Sequence, residues 1–558
     1  MTTKIIMPKS GMDMIEGKII KWLKEIGDPV EKDEAVAEIE TDKVNMEVES
    51  FADGYLIEKI AKEGDVVPVT EVIGYIGEKD EKIKKTVAKE PKEKKSSSKT
   101  GDKNAYDIVV IGGGPAGYIA AIKAARLGKK TALVEKSVVG GTCLNRGCIP
   151  TKTYLKSSEI IESISHASLR GINIANSKVL VDMKKVVDEK NKVVKQLTGG
   201  VAALLKSNGV EVFNGKATVK KDRTILIDNK EKIKTDKLIY AGGSKATKIN
   251  IPGINSKLVL TSDEILDLEV IPEKLAIIGG GVIGVEMATC FKSFGADVTI
   301  IELEKNIVPT MDKDISNELK KSLKKKGINI LNGTRLEEIK ENKSKLELIT
   351  DKEMIEADMA LLSIGRSPDL EGLKDIDIET FQGRIKVDNK MQSSKSWIYA
   401  PGDINGKMML AHAAFKMGEV AALNASGFSE KVNLNNVPSC IYTMPEVGCV
   451  GITEAEAREK YDVSIGRFPF AANGRALASG EGNGFVKVIT DKKYGEVLGV
   501  HIIGPSAAEM INEAAALMHT EITAKEIADI IHGHPTYSES LMEAVADSLD
   551  ECLHLPRK

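Results

Sequence analysis

The chain has 558 residues, of which 42% are apolar, 29% charged and 4% aromatic, and its formal net charge is −3. That length exceeds what a single hydrophobic core organises, so several domains are expected, and the near-neutral charge gives no global reason to expect nucleic acid or a membrane surface as a partner. The N-terminus MTTKIIMPKS lacks the apolar core of a signal peptide, no later run of about 18 apolar residues could span a bilayer, and six cysteines fit a reducing compartment, so the expected location is cytoplasmic.

Residues 1–78 contain an internal repeat. The segment from Gly17 through Gly27-Asp28 to Val30 recurs 37 positions later, from Gly54 through Gly64-Asp65 to Val67. Two copies of one short-strand unit, each turning at Gly-Asp, predict a β-sandwich with quasi-twofold symmetry. Between the copies, Glu40-Thr41-Asp42-Lys43-Val44 reads as a hairpin tip that presents one lysine. MPKSGMDMIEGKI and ETDKV resemble the lipoyl domains, in which the hairpin lysine carries lipoate in amide linkage. Lys43 is the attachment site this resemblance implies. From residue 79 to 105 ten lysines face five acids with almost nothing apolar, the signature of a mobile linker that spans roughly 30 Å as a flexible coil.

The next predicted element is a buried strand from Tyr106 that runs into Gly112-Gly113-Gly114-Pro115-Ala116-Gly117 and an Ala-rich helix. A second strand follows and ends at Glu135. Gly112 suits the tight turn, Gly114 lets backbone approach a pyrophosphate and Gly117 allows close helix–strand packing, while Glu135 can accept from ribose hydroxyls. Shortly afterwards comes GGTCLNRGCIPTK, Gly140 to Lys152. Its cysteines, Cys143 and Cys148, are five positions apart, close enough for a disulfide across a short helical turn. The dinucleotide pattern then recurs as Gly279, Gly281 and Gly284 followed by Glu302. An adenylated flavin is expected at the first unit and a nicotinamide at the second. Glu302 would repel a 2′-phosphate and no arginine cluster follows it, which favours NAD over NADP. Near the C-terminus His534-Pro535-Thr536-Tyr537-Ser538-Glu539 offers an imidazole, the side chain suited to acid–base work, and a carboxylate to orient it.

This order of motifs resembles the pyridine nucleotide–disulfide oxidoreductases of the dihydrolipoamide dehydrogenase type, over about residues 106 to 555. The resemblance implies an α/β fold with two Rossmann-like dinucleotide domains and an α+β dimer-interface domain behind the small lipoyl sandwich. The expected boundaries are a FAD domain over 106–255, an NAD domain over 256–366, a segment completing the FAD domain over 367–434 and a dimerisation domain over 435–558. It implies oxidation of protein-bound dihydrolipoamide with reduction of NAD+ to NADH, through a Cys143–Cys148 disulfide and FAD. Catalysis would rest on these cysteines with His534 and Glu539. Gly141, Thr142, Lys152 and Asp403 would join the flavin site, with Lys152 paired to Glu286; Gly365 and Glu286 would join the NAD site. Expected partners are a second copy of the chain, whose His–Glu pair completes each site, and lipoyl-bearing acyltransferase or carrier proteins of a multienzyme complex. No metal is expected. Glutathione-type and mercuric reductases share the cysteine pair, but the arginines and extra cysteine pairs of those enzymes are missing here. A carrier or scaffold role alone would leave the cysteine and His–Glu sets without a use.

Overall fold

A computed structural model describes residues 3–8, 16–40, 45–50, 52–68, 71–78, 104–174 and 179–556. The chain divides into two compact units, 1–102 and 103–558. Lys43 and residues 79–103 of the expected linker lie outside the described residues. Ala105, assigned to that linker from sequence, is instead the first residue of the strand Ala105–Ile111, where its backbone pairs with Lys234.

The first unit is a pair of four-stranded sheets that carry the sequence repeat into space. Glu16–Trp22, Pro29–Val30 and Ala35–Glu40 correspond to Gly54–Lys59, Val66–Pro68 and Val72–Gly77. One sheet orders Thr3–Ile6, Val72–Gly77, Gly54–Lys59 and Pro29–Val30; the other orders Asn45–Glu49, Ala35–Glu40, Glu16–Trp22 and Val66–Pro68. Each sheet therefore takes a short strand from the opposite repeat, which locks the two halves together. Alternating side chains, Ile19, Val36, Ile39, Val48, Leu56 and Ile73 among them, fill the space between the sheets. Ala35–Glu40 and Asn45–Glu49 form a hairpin with Glu40 opposite Asn45, so residues 41–44 connect its two strands.

Among the described residues of the second unit, three large sheets stand beside three smaller ones of two or three strands. In the first, Ala105–Ile111 is central, with Thr131–Glu135 and Glu211–Asn214 parallel on one side and Glu231–Tyr240 on the other; Ile398–Tyr399 returns to pair with Glu231–Tyr240. A second, all-parallel sheet runs Val259–Thr261, Met359–Leu362, Lys274–Ile278, Asp297–Glu302 and Asn329–Asn332. Between them, Ser244–Ala246 pairs antiparallel with Arg366–Pro368, a two-stranded link at the seam. The third sheet is antiparallel, with Val497–Gly504 and Phe485–Asp491 central and buried on both faces, packed by the helices Ala507–His519 and Glu539–Ser548. Continuous apolar runs such as Ile108-Val-Val-Ile111 and Leu275-Ala-Ile-Ile278 form parallel strands because both faces are covered, one by helices and the other by further strands.

Candidate active site

Both glycine turns have the same construction. Gly112 sits at φ +97 and Gly279 at φ +106, a region that side-chain-bearing residues avoid, and each leads into a helix, Pro115–Arg126 or Val282–Phe294. A Cβ on Gly117 would lie 1.8 Å from the Gly112 carbonyl oxygen, and one on Gly284 would lie 2.0 Å from that of Gly279. Neither helix has a side-chain cap at its first residue, Gly114 or Gly281, so first-turn N–H groups are available to an anion. The acids close the motif. Glu135 accepts from Gly113 N (2.6 Å) and Ser137 N (2.8 Å), while Glu302 accepts from Gly280 N (2.5 Å) and Glu304 N (2.7 Å). Each carboxylate keeps lone pairs for hydroxyl donors.

One cavity of about 1890 Å³ runs past both turns and between them past the cysteines, reaching Glu135, Cys143, Cys148, Lys152, Glu302 and Asp403. That is well above the usual ~300–1,000 Å³ of a single-ligand pocket and fits two dinucleotides. Gly141, Thr142, Glu286 and Gly365 also line it.

GGTCLNRGCIPTK folds as two helices that break at Gly147. Gly141–Arg146 carries Cys143 and Cys148–His166 begins at Cys148. Both are thiols, with the Cys143 S–H donating to Cys148. That hydrogen bond, with help from the Lys152 cation and against burial, draws Cys148 down to about 7; the same bond and burial push Cys143 far up. Cys148 is thus the stabilised thiolate of the pair. Lys152 Nζ lies 3.0 Å from Glu286 Oε1, and the same oxygen accepts from Tyr442 N at 2.9 Å. The Tyr442 ring lies 4.2 Å beneath the ammonium. Asp403 accepts from Ser244 Oγ at 2.5 Å, and Arg366 Nε in turn holds Ser244 Oγ at 2.8 Å. The N-terminus of the helix Ala411–Ala425 also faces the cavity through Leu410 and Ala411.

His534 and Glu539 form a pair elsewhere, at 2.8 Å, and are not among the lining residues of this cavity. Burial raises Glu539, but the Thr536 N–H and His534 outweigh it and hold the carboxyl below the usual range. The His534 side chain is 78% exposed and stands on the surface of the single chain. His532 is instead tucked against Glu513 (2.7 Å) and the Ile530 carbonyl (3.1 Å).

Ser244, Arg366 and Tyr442 were not singled out from sequence as site residues. The segments containing Ser244 and Arg366 match the family, but a lone polar residue in such a segment carries no spacing that announces its contact. Tyr442 contributes its backbone and its ring, which no motif encodes. Cys440, scattered in sequence from the redox pair, also reaches the cavity and is pushed up to about 11 by burial and Glu446.

The profile of the pyridine nucleotide-disulphide oxidoreductases matches residues 106–418 and that of their dimerisation domain residues 437–545. A third, described as biotin-requiring enzyme and covering biotinyl and lipoyl domains, matches residues 3–76. The fold and the dithiol site thus define a flavoprotein disulfide oxidoreductase with a lipoyl-type domain at its N-terminal end. Within that class, the chain belongs to the pyridine nucleotide-disulphide oxidoreductase family, on its dihydrolipoyl dehydrogenase branch. A dihydrolipoyl dehydrogenase of Bacillus subtilis is 40% identical over 455 residues, 80% of this chain and 99% of that protein. The mitochondrial one of Pisum sativum is 37% identical over 465 residues, 80% of this chain and 92% of its own. Among solved structures, the HOCl-induced flavoprotein disulfide reductase RclA from Escherichia coli superposes with a TM-score of 0.72 at 28% identity, covering 79% of this chain and 99% of that one. FAD and NAD are the cofactors of the branch, and its reaction is oxidation of dihydrolipoamide with reduction of NAD+.

Proposed function

We propose that this chain carries out that reaction with Cys143 as the sulfur that exchanges with substrate and Cys148 as the sulfur that faces the flavin. The observation that carries the reading is the thiol pair itself. Cys148 is the stabilised thiolate, Lys152 is held beside it by Glu286, and both cysteines lie in a cavity that continues to the two glycine turns.

In the oxidised enzyme Cys143 and Cys148 form the disulfide. A dihydrolipoyl thiolate attacks Cys143, the Cys143–Cys148 bond breaks, and Cys148 leaves as a thiolate that the Lys152 cation stabilises. The second substrate thiol then attacks the substrate sulfur of the mixed disulfide, which closes cyclic lipoamide and releases Cys143. His534 takes the proton of the attacking thiol, the second thiol's proton passes to the Cys143 sulfur as it leaves, and Glu539 at Nδ1 fixes the tautomer and stabilises the imidazolium. FAD, when bound along the first glycine turn, supplies the two-electron transfer to nicotinamide. Gly112, Gly114, Gly117, Glu135, Gly141, Thr142 and Asp403 would hold it, with Lys152 at its reactive edge. Gly279, Gly281, Gly284, Glu286, Glu302 and Gly365 would hold NAD. The net change is dihydrolipoamide and NAD+ to lipoamide, NADH and one proton.

The exposed His534–Glu539 pair belongs, on this reading, to the site of a second copy of the chain, so the working unit is a homodimer. Its substrates are lipoyl groups on acyltransferase or carrier proteins of a 2-oxo acid, acetoin or glycine-cleavage type complex, in the cytoplasm, and lipoate on Lys43 of its own first unit. The test is complementation. Cys148→Ser chains and His534→Gln chains, each inactive alone, should regain lipoamide-dependent NADH formation when dissociated and reassociated together. No recovery in mixed dimers would place the histidine outside the partner's site. Mass spectrometry should find lipoyl mass on Lys43 and none after Lys43→Arg.

A further inference from the structure

The loop that follows Glu302 lines the cavity through Leu303, Glu304, Val308, Pro309 and Thr310. It is fastened to the second glycine turn at its start. Glu304 N donates to Glu302, Val308 N donates to the Gly280 carbonyl at 2.9 Å, and a Cβ on Gly280 would already be 2.9 Å from Ile307 Cγ2. Within it Val308 adopts φ +42, a left-handed conformation that a β-branched residue holds only when its surroundings impose it. The far end of the loop is Asp312, itself 2% exposed, which caps the helix Lys313–Lys325.

Asp312 is gripped from the C-terminal sheet. Lys487, 175 residues away and also 2% exposed, places Nζ 2.8 Å from Asp312 Oδ1, 2.9 Å from Asp314 Oδ2 and 2.7 Å from Glu454 Oε2. The Glu454 N–H donates to the other Asp312 oxygen at 3.1 Å. An ammonium this deeply buried is stabilised only by such complete pairing, so the geometry of the three carboxylates is tightly set.

We infer that Lys487 is a positioning residue for nicotinamide dinucleotide binding: through Asp312 it holds the strained loop 303–312 in the conformation that shapes the second glycine-turn site. This rests on NAD occupying that site. It means that the domain matched by the dimerisation profile sets the affinity of the nucleotide site without touching the nucleotide.

The experiment uses flavin-loaded full-length protein and NADH as the probe, read by direct binding as well as by kinetics. Asp312→Asn keeps a competent helix cap but removes the charge that Lys487 grips. It should raise the NADH dissociation constant and the KM for NAD+ about fivefold or more, with the KM for dihydrolipoamide and the flavin content unchanged. Glu454→Gln removes equal charge from Lys487 without touching the loop and should leave NADH binding within about twofold, inside the range of a minor local change. Lys487→Met combined with Asp312→Asn should reproduce the loss. Unchanged NADH binding in Asp312→Asn, or an equal loss in Glu454→Gln, would overturn the inference. An NADH affinity left at the wild-type value by Gly284→Ala would instead refute the assignment of the site.

Discussion

The two glycine turns share a backbone and differ in what surrounds them. At the first, the redox segment folds directly over the turn: a Cβ on Gly141 would lie 2.5 Å from Gly114 Cα, and Gly114 N-caps a helix backed by the helix Ala411–Ala425, where a Cβ on Gly418 would lie 2.2 Å from the Ala116 carbonyl oxygen. At the second, Gly281 has nothing among the described residues within 4 Å of its Cβ position, and the neighbouring loop is held from a distant sheet by Lys487. One motif thus serves two purposes. The enclosed copy suits a nucleotide that stays, and the open copy suits one that must arrive and leave in each turnover.

The sharpest way to break this comparison is to fill the same position in each copy. Gly117→Ala and Gly284→Ala both force a methyl onto a carbonyl oxygen at 2.0 Å or less. The first should yield protein that does not retain flavin, while the second should retain it and lose NAD+ reduction, measured by absorbance and by activity with an artificial electron acceptor. Equal loss of flavin in both would erase the distinction. A smaller contrast comes from the outer glycines. Gly141→Ala combines φ +58 with a backbone clash and should cost about 1–3 kcal/mol of stability. Gly281→Ala should melt within a few degrees of wild type, since ~1 kcal/mol shifts a large domain by only ~2–4 °C, and weaken NADH binding alone.

Glu135→Gln and Glu302→Gln probe the acids. Each replaces a carboxylate that accepts two backbone N–H groups with an amide that has one acceptor oxygen, a loss of about 1–3 kcal/mol. The expected result is about tenfold weaker flavin rebinding for Glu135→Gln and about tenfold weaker NADH binding for Glu302→Gln, each by titration. The smallest signal is a proton. With the pair reduced, ultraviolet thiolate absorbance should appear as pH rises through about 7 and fade below it, because the Cys143 hydrogen bond and Lys152 favour the charged form of Cys148. Cys148→Ser should abolish that step. A first titration at the ordinary ~8.5 of a free thiol would contradict the assignment.

Much of this was legible before any coordinates, because backbone geometry dictates residue type at the turns. Gly112, Gly117, Gly279 and Gly284 are positions where nothing but glycine fits, and Glu135 and Glu302 end the strands that bring an acid back to the turn. The repeat in the first unit likewise announced its strands, since a Gly-Asp turn and an apolar alternation recur at one offset. What stayed hidden depends on distance in sequence. Arg366 reaches Ser244 across 122 residues and Lys487 reaches Asp312 across 175, and neither lysine nor arginine carries a local pattern that names its partner. Ala105 was misread as linker because strand pairing with Lys234, not composition, decides where the body begins.

Anaerobic mixing of the flavin-loaded Cys148→Ser protein with each reductant in turn addresses the dithiol relay most directly. NADH should reduce the flavin at close to the wild-type rate, since the second glycine turn is untouched, while dihydrolipoamide should reduce it at least about a thousandfold more slowly than in the wild type. Flavin reduction by dihydrolipoamide at the wild-type rate in that protein would show that electrons reach the flavin without the Cys143–Cys148 pair.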